Sequence, residues 1–279
     1  MTSGQKIIKY IAIAIAIFLI INIIGIILTI FAGLGIFFNV KEAITNTENF
    51  EEVIDNYPIE EITNLDIEIN YSKLEIKNGD TFKIECNNEK IYTEKKGNKI
   101  EIKEKNNWFN KQETSNITIY IPENKIFERT EIEAGAGEIN IDKLQTNNLT
   151  FSIGAGKVQI NELEVFEKAE IEGGAGKADI ISEELHNLDL EMGLGELNLT
   201  TKLIGNNVIE QGIGKLSINL TDNIENYKIR TSKGLGSITI DGNEVQDGNT
   251  YGNGENNIRI EGGMGAIEIV TNSPEGQSI

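Results

Sequence analysis

Seven times between residues 132 and 269 the chain repeats a run of alternating apolar and polar residues broken by Gly-x-Gly: "IEAGAGEINI", "FSIGAGKVQI", "IEGGAGKADI", "LEMGLGELNL", "IEQGIGKLSI", "TSKGLGSITI" and "IEGGMGAIEI". Alternation marks a half-buried β-strand, and glycine inside a strand weakens it unless the backbone needs that residue. Aligned on the second glycine (Gly137, Gly156, Gly176, Gly195, Gly214, Gly236 and Gly265), the copies step by 19, 20, 19, 19, 22 and 29 residues. A step near 20 residues predicts stacked coils, each one repeat long. The two longer steps place surface loops at "TDNIENY" and "DGNEVQDGNTYGNGEN".

The apolar positions say what the glycines are for. Ile132, Ala134 and Ala136 precede the second glycine at every other residue, and Ile139 and Ile141 follow it. The three-residue gap flips the parity, which in a straight strand sends the second half of the side chains to the opposite face. A bulge or corner at Gly135–Gly137, and at the equivalent pairs Gly154 and Gly156, Gly174 and Gly176, Gly193 and Gly195, Gly212 and Gly214, Gly234 and Gly236, Gly263 and Gly265, returns both halves to one core. The middle residue is apolar in every copy: Ala136, Ala155, Ala175, Leu194, Ile213, Leu235 and Met264. It is expected inside the corner, in a stack that widens toward the C-terminus. Gln211 and Lys233 break the inward rule, so local distortion is expected at those two coils.

The pattern begins earlier, without glycine. "LDIEINYSKLEIK" turns Leu65, Ile67, Ile69 and Tyr71 inward and then Leu74 and Ile76, with Asn70 and Ser72 in the glycine places, asparagine being tolerant of positive φ. "TFKIECN" and "NITIYIP" each put three apolar residues on one face, and "IYTEKKGNKIEIK" predicts a hairpin around Lys96-Gly97-Asn98. Trp108 and Phe109 are expected in an excursion loop. The predicted fold class is therefore all-β: a right-handed parallel β-solenoid of coils of about 20 residues, preceded by one transmembrane α-helix.

That helix is read from residues 10–38, an uncharged and almost wholly apolar run longer than the roughly 20 residues a bilayer requires. Lys6 and Lys9 precede it, which places the N-terminus in the cytoplasm. The expected organisation is a cytoplasmic stub and anchor at 1–39, a linker at 40–60, the solenoid at 61–272 and a free tail at 273–279. In the linker, Thr45 and Glu48 are expected to cap a short helix burying Phe50, Val53 and Ile54. Within the span Asn22, Gly25, Thr29 and Gly33 recur near one face, a pattern for self-association between helices. All 44 acidic residues but only 23 of the 25 basic ones follow the span. So acidic an outer part excludes nucleic acid and anionic lipid surfaces as partners. A single cysteine, Cys86, excludes an internal disulfide, and abundant Ile, Asn, Lys and Glu point to an AT-rich bacterial genome.

The "ITIYIPEN" segment leading into "IEAGAGEINIDKL", with Gly-x-Gly corners repeated behind one apolar span, resembles the bacterial putative-adhesin domain family of unknown function over roughly residues 60–270. The resemblance implies a cell-surface β-solenoid and carries over no catalytic residues. Stacked coils bring outward carboxylates into rows: Glu172, Glu191 and Glu210, with Glu170 and Asp189 beside them. Like charges in a row repel, and calcium bound to their oxygens relieves that repulsion. A solvated acidic face is the simpler reading, because EF-hand spacing is absent and "GGAGKAD" fails the nonapeptide β-roll pattern. Glu138, Lys157, Lys177, Glu196 and Lys215 are expected to pair across rungs. Neither His186 nor Cys86 has a catalytic context. Arg230 and Arg259 near Glu210 and Glu261 are the residues an enzyme would use, but a flat face offers no cleft. Three functions stand in order: an adhesin-like binding or scaffolding module at the envelope, contacting an envelope polymer or protein; a regulatory or sensory accessory of an envelope-stress system; and a polysaccharide-acting enzyme. A non-enzyme without a cofactor, apart from calcium, is expected.

Overall fold

The computed structural model describes residues 53–105 and 114–272, the first four as backbone alone. They fall in the second of two compact units, which starts at Phe50. The apolar span with Asn22, Gly25, Thr29 and Gly33, the pair Thr45 and Glu48, Trp108 with Phe109, and the tail lie outside the described residues.

Strand β1 (Val53–Asn56) opens the sheet, so Val53 and Ile54 are extended rather than helical. Strand β2 (Asn64–Asn78) buries Leu65, Ile67 and Ile69, then Leu74 and Ile76, with the predicted change of parity between them. Each such side chain withdrawn from water contributes about 1.5–3 kcal/mol. Strands β3 (Lys83–Cys86), β4 (Ile91–Lys96), β5 (Lys99–Glu104) and β6 (Ser115–Ile121) complete the N-terminal end. The β4–β5 hairpin turns on Gly97 (φ +65°) and Asn98, as expected. Strands β5 and β6 lie parallel to the first and second halves of β2 and together make one coil. That coil is covered by antiparallel strands, β4 on β5 and β3 on β6, with β1 on β3. Strand pairing closes this end.

The middle is the predicted parallel stack. Strands β7 (Ile126–Ile141), β8 (Leu144–His186), β9 (Asp189–Ile204) and β10 (Asn206–Leu220) pair in register, Gly137 with Gly156, Gly176 with Gly195 and Gly195 with Gly214. The long β8 contains two corners, and the second, at Gly174–Gly176, lies on the first, at Gly154–Gly156. All of the inward side chains join one apolar cluster.

The glycines are needed for a reason beyond φ. Gly176 has φ +145°, and a Cβ there would sit 2.0 Å from the carbonyl oxygen of Gly156 in the coil before it. The first glycine of each pair is crowded too, with 2.8 Å at Gly135 against the Asn70 oxygen and 2.2 Å at Gly174 against that of Gly154. Coils touch backbone to backbone at this corner, which leaves no room for a side chain on either glycine.

The last coils depart from sequence order. Strands β11 (Tyr227–Ser232) and β12 (Ser237–Ile240) make a coil, but β15 (Asn256–Thr271) inserts between it and β10. The corners therefore stack Gly214, Gly265, Gly236 rather than in chain order. The "TDNIENY" insertion, with a single turn of 3-10 helix at Ile224–Asn226, carries the chain past one rung of the sheet. Two short strands from the longer insertion, β13 (Asn243–Glu244) and β14 (Thr250–Tyr251), lie antiparallel to β12 and β11 and close the C-terminal end. Thus "DGNEVQDGNTYGNGEN" is a cap rather than a loop. The local disruption expected at Lys233 is present: the strand breaks between Ser232 and Ser237, and the ammonium of Lys233 bonds Glu244 at 2.8 Å and the Val245 carbonyl at 3.0 Å. At Gln211 it is not: β10 runs on, and the buried amide donates to the Ala266 carbonyl at 3.5 Å.

Candidate functional site

The chemistry-bearing surface lies along the glycine corner. The middle residues of Gly-x-Gly do not point into the core as expected; they stand outward. Ala134 and Ile153 are buried, but Ala136 and Ala155, two residues on, are half-exposed. Exposure rises along the stack to 45 % at Ile213, 50 % at Met264 and 85 % at Leu235. The physical cause is the backbone contact itself. With both glycines pressed on the neighbouring coil, the peptide between them has its interior side occupied, so its side chain turns to solvent. Tyr71, 41 % exposed and in register with Ala136, continues the line on β2. The result is an apolar ridge whose bulk grows toward the C-terminal coils.

Charged rows flank it. Three residues before each ridge position, Glu172, Glu191, Glu210 and Glu261 are in register on successive coils. The guanidinium of Arg259 reaches Glu210 at 3.7 Å and Glu261 at 3.4 Å, while Glu172 and Glu191 have no cationic partner among the described residues. Glu170 and Asp189 are in register with each other in a parallel row, and the Glu170 carboxyl is held below its ordinary pKa by Lys168. Among the described residues no group of three or more His, Cys, Asp or Glu is disposed to hold a metal ion. Two residues after the ridge run Lys157, Lys177, Glu196 and Lys215, with Lys177 and Glu196 paired across rungs at 3.5 Å. Arg230 is in register with Arg259 and with Thr250, and no carboxylate is bonded to it among the described residues.

Several polar devices escaped the sequence. Neither Asn70 nor Ser72 takes a positive φ. Instead one oxygen of Glu104, from the end of β5, accepts from Asn70 N at 2.7 Å, Tyr71 N at 3.0 Å and Ser72 Oγ at 2.9 Å. A carboxylate from another strand thus does at this corner what a neighbouring coil's backbone does elsewhere. Asparagines line the opposite turn of the coils: Asn187 Nδ2 donates to the Glu167 carbonyl (2.8 Å), Asn206 N to Asn187 Oδ1 (3.1 Å) and Asn257 Nδ2 to Asn206 Oδ1 (3.0 Å). Glu101 sits between Lys96 and Lys99, each at 2.6 Å, and these ammonium groups bring its pKa down to about 2. His186 Nε2 lies 3.1 Å from Glu184 Oε1. Cys86 is buried and forms no disulfide. The small gap in the stack, lined by Phe151, Ile171, Ala178 and Met192 among others, is apolar core with the Met192 sulfur against Gly173.

Solved structures similar to this chain include three with the following names. A protein named a "putative cell adhesion protein" from Clostridium sporogenes is 21 % identical, over 80 % of this chain and 99 % of its own, with TM-score 0.38. A "putative adhesin" from Bacteroides fragilis is 11 % identical over 78 % and 97 %, with TM-score 0.39. A "putative lipid binding protein" from Parabacteroides distasonis is 14 % identical over 79 % and 97 %, with TM-score 0.37. No curated protein matches. The match that spans the whole glycine-cornered stack, from Ile62 to Ile269, is to a single family, and the chain belongs to it: the Toastrack DUF4097 family.

Proposed function

We propose that this protein is a single-span membrane protein that displays its β-stack, its coils winding right-handed, outside the cell as a binding or scaffolding module. The observation that carries this reading is the registered row Glu172–Glu191–Glu210–Glu261 beside an apolar ridge. A surface repeating at the rung spacing of about 4.8 Å matches a repetitive partner better than a small molecule. The names of the adhesin-like neighbours agree with a surface role, and the apolar span at residues 10–38 supplies the anchor. The unrelieved carboxylates favour a cationic or hydroxyl-rich envelope polymer, with calcium as a bridging ion.

The test is co-sedimentation of the detergent-solubilised full chain with isolated cell-wall polymer, with calcium and with chelator. Binding that is lost when Glu172 and Glu191 are both changed to Lys supports the reading. Recovery that is the same without wall material, or indifferent to that reversal, overturns it. Calcium is dismissed if chelator leaves the bound fraction unchanged.

A further inference from the structure

We propose that the Gly-x-Gly ridge is a contact surface between two copies of this chain, packed side by side with their coils stacked in the same direction. The contact engages the same flanking carboxylates as the proposed function, so a second copy and a polymer are alternative occupants of that row, and the crosslinking below reads the ridge alone.

Leu194, Ile213 and Met264 occupy one register line on adjacent coils, and Leu235 follows on the next, its N–H donating to the Gly263 carbonyl at 2.8 Å. These are the large members of the ridge. Monomeric proteins seldom leave large apolar side chains in a continuous exposed line. Each of these four residues has glycine on both sides, so no neighbouring side chain stands between it and an approaching surface. Two such ridges can therefore meet along their length.

Charge selects the partner and its direction. The flank three residues before the ridge is acidic, with Glu172, Glu191 and Glu210, and the flank two residues after it carries Lys177 and Lys215 with Glu196 between them. A two-fold axis along the stack sets the acidic flank of one copy against the lysine flank of the other. Glu172 then faces Lys177 and Glu210 faces Lys215; like charges meet at Glu191 with Glu196, which Lys177 already pairs at 3.5 Å, and at Glu133 with Glu138 on the Ala136 rung. Reversing one copy sets the row Glu172–Glu191–Glu210 against itself. Interfaces built on a two-fold axis are self-complementary in this way. A ridge about 30 Å long buries less than the roughly 800 Å² per partner of a standard stable interface. The contact is thus a weak one, made effective where both copies share a membrane.

The experiment uses the full chain in detergent, with Leu194→Cys, Ile213→Cys or Met264→Cys introduced singly and oxidised with copper–phenanthroline. Cys86 is buried, and the unaltered chain is the control. A residue on the two-fold axis meets its own counterpart, so all three variants should form disulfide-linked dimers. Crosslinking of one variant alone indicates opposed directions and overturns the parallel arrangement. Crosslinking of none overturns the proposal and leaves the ridge to another occupant; a dimer held only through the anchor gives this result. In a second measurement, Ile213→Asp should lower the dimer fraction by about tenfold or more, as charging a central contact does. Ile181→Asp, at an equally exposed position off the ridge, should not. Glu172→Lys alone should weaken the dimer, and Glu172→Lys with Lys177→Glu should restore it; no restoration overturns the charge argument.

Discussion

Gly214 stacks on Gly265, 51 residues further along the chain, and not on Gly236, which comes first in sequence. A Cβ on Gly265 would lie 1.9 Å from the Gly214 carbonyl oxygen, and a Cβ on Gly236 would lie 2.1 Å from that of Gly265. Backbone contact between coils holds these corners together, each glycine receiving the next.

Alanine at a stacking corner should therefore cost far more than alanine at an exposed turn. Gly214→Ala forces a side chain into a carbonyl 1.9 Å away at φ +136°, and Gly242→Ala meets only the strain of φ +77° in open space. Chemical denaturation should show a loss of about 3 kcal/mol or more for the first and about 1 kcal/mol for the second. Similar losses would mean that φ alone demands the corner glycine.

The Glu104 carboxylate should be the cap that holds the glycine-free corner. Glu104→Ala leaves the N–H groups of Asn70 and Tyr71 and the hydroxyl of the buried Ser72 without their acceptor. A loss of about 1–3 kcal/mol is expected. Hydrogen exchange should quicken at Asn70 and Tyr71 before it does at the Gly174–Gly176 corner.

Two buried hydroxyls of similar setting should respond with opposite sign. Thr130 Oγ1 is buried with no hydrogen-bond partner, between Leu65 and Leu149 of the adjacent coils. Thr130→Val should stabilise by about 1 kcal/mol. Thr146 Oγ1 lies 3.0 Å from the Asn148 carbonyl and 3.3 Å from that of Phe127, so Thr146→Val should destabilise by about as much. Comparison of the two midpoints in urea checks the difference.

Acid should weaken the N-terminal end through Glu101. Its folded carboxyl titrates at about 2 against an ordinary 4.5, because Lys96 and Lys99 bond the charged form. Between those values the unfolded chain binds the proton and the native one does not. The stability this group contributes is complete above about pH 4.5 and is lost as the pH falls through about 2. Glu101→Gln should flatten that acid limb in a pH series of denaturation midpoints. High salt should shrink the effect, since both lysines face solvent.

Much of the fold was legible because its rule is local. Alternation and the parity flip at Gly135–Gly137 name the inward residues of β7, and Ile132, Ile139 and Ile141 are all buried. The line Ala136–Leu194–Met264 was misjudged because alternation was carried through the corner, where backbone contact with the next coil displaces the side chain outward. Glu104 was illegible because its partners are 32–34 residues away and carry no complementary motif.

The sequence by itself determined an all-β array with a period near 20 residues, since glycine spacing and apolar parity are properties of neighbouring residues. Only the tertiary structure decided which coil lies on which. Every Gly-x-Gly corner is an equivalent seat for every other, so local pattern cannot distinguish Gly236 from Gly265 as the mate of Gly214. The insertion at residues 221–226 and the β13–β14 cap make that choice, by letting the chain step past a rung and return to fill it.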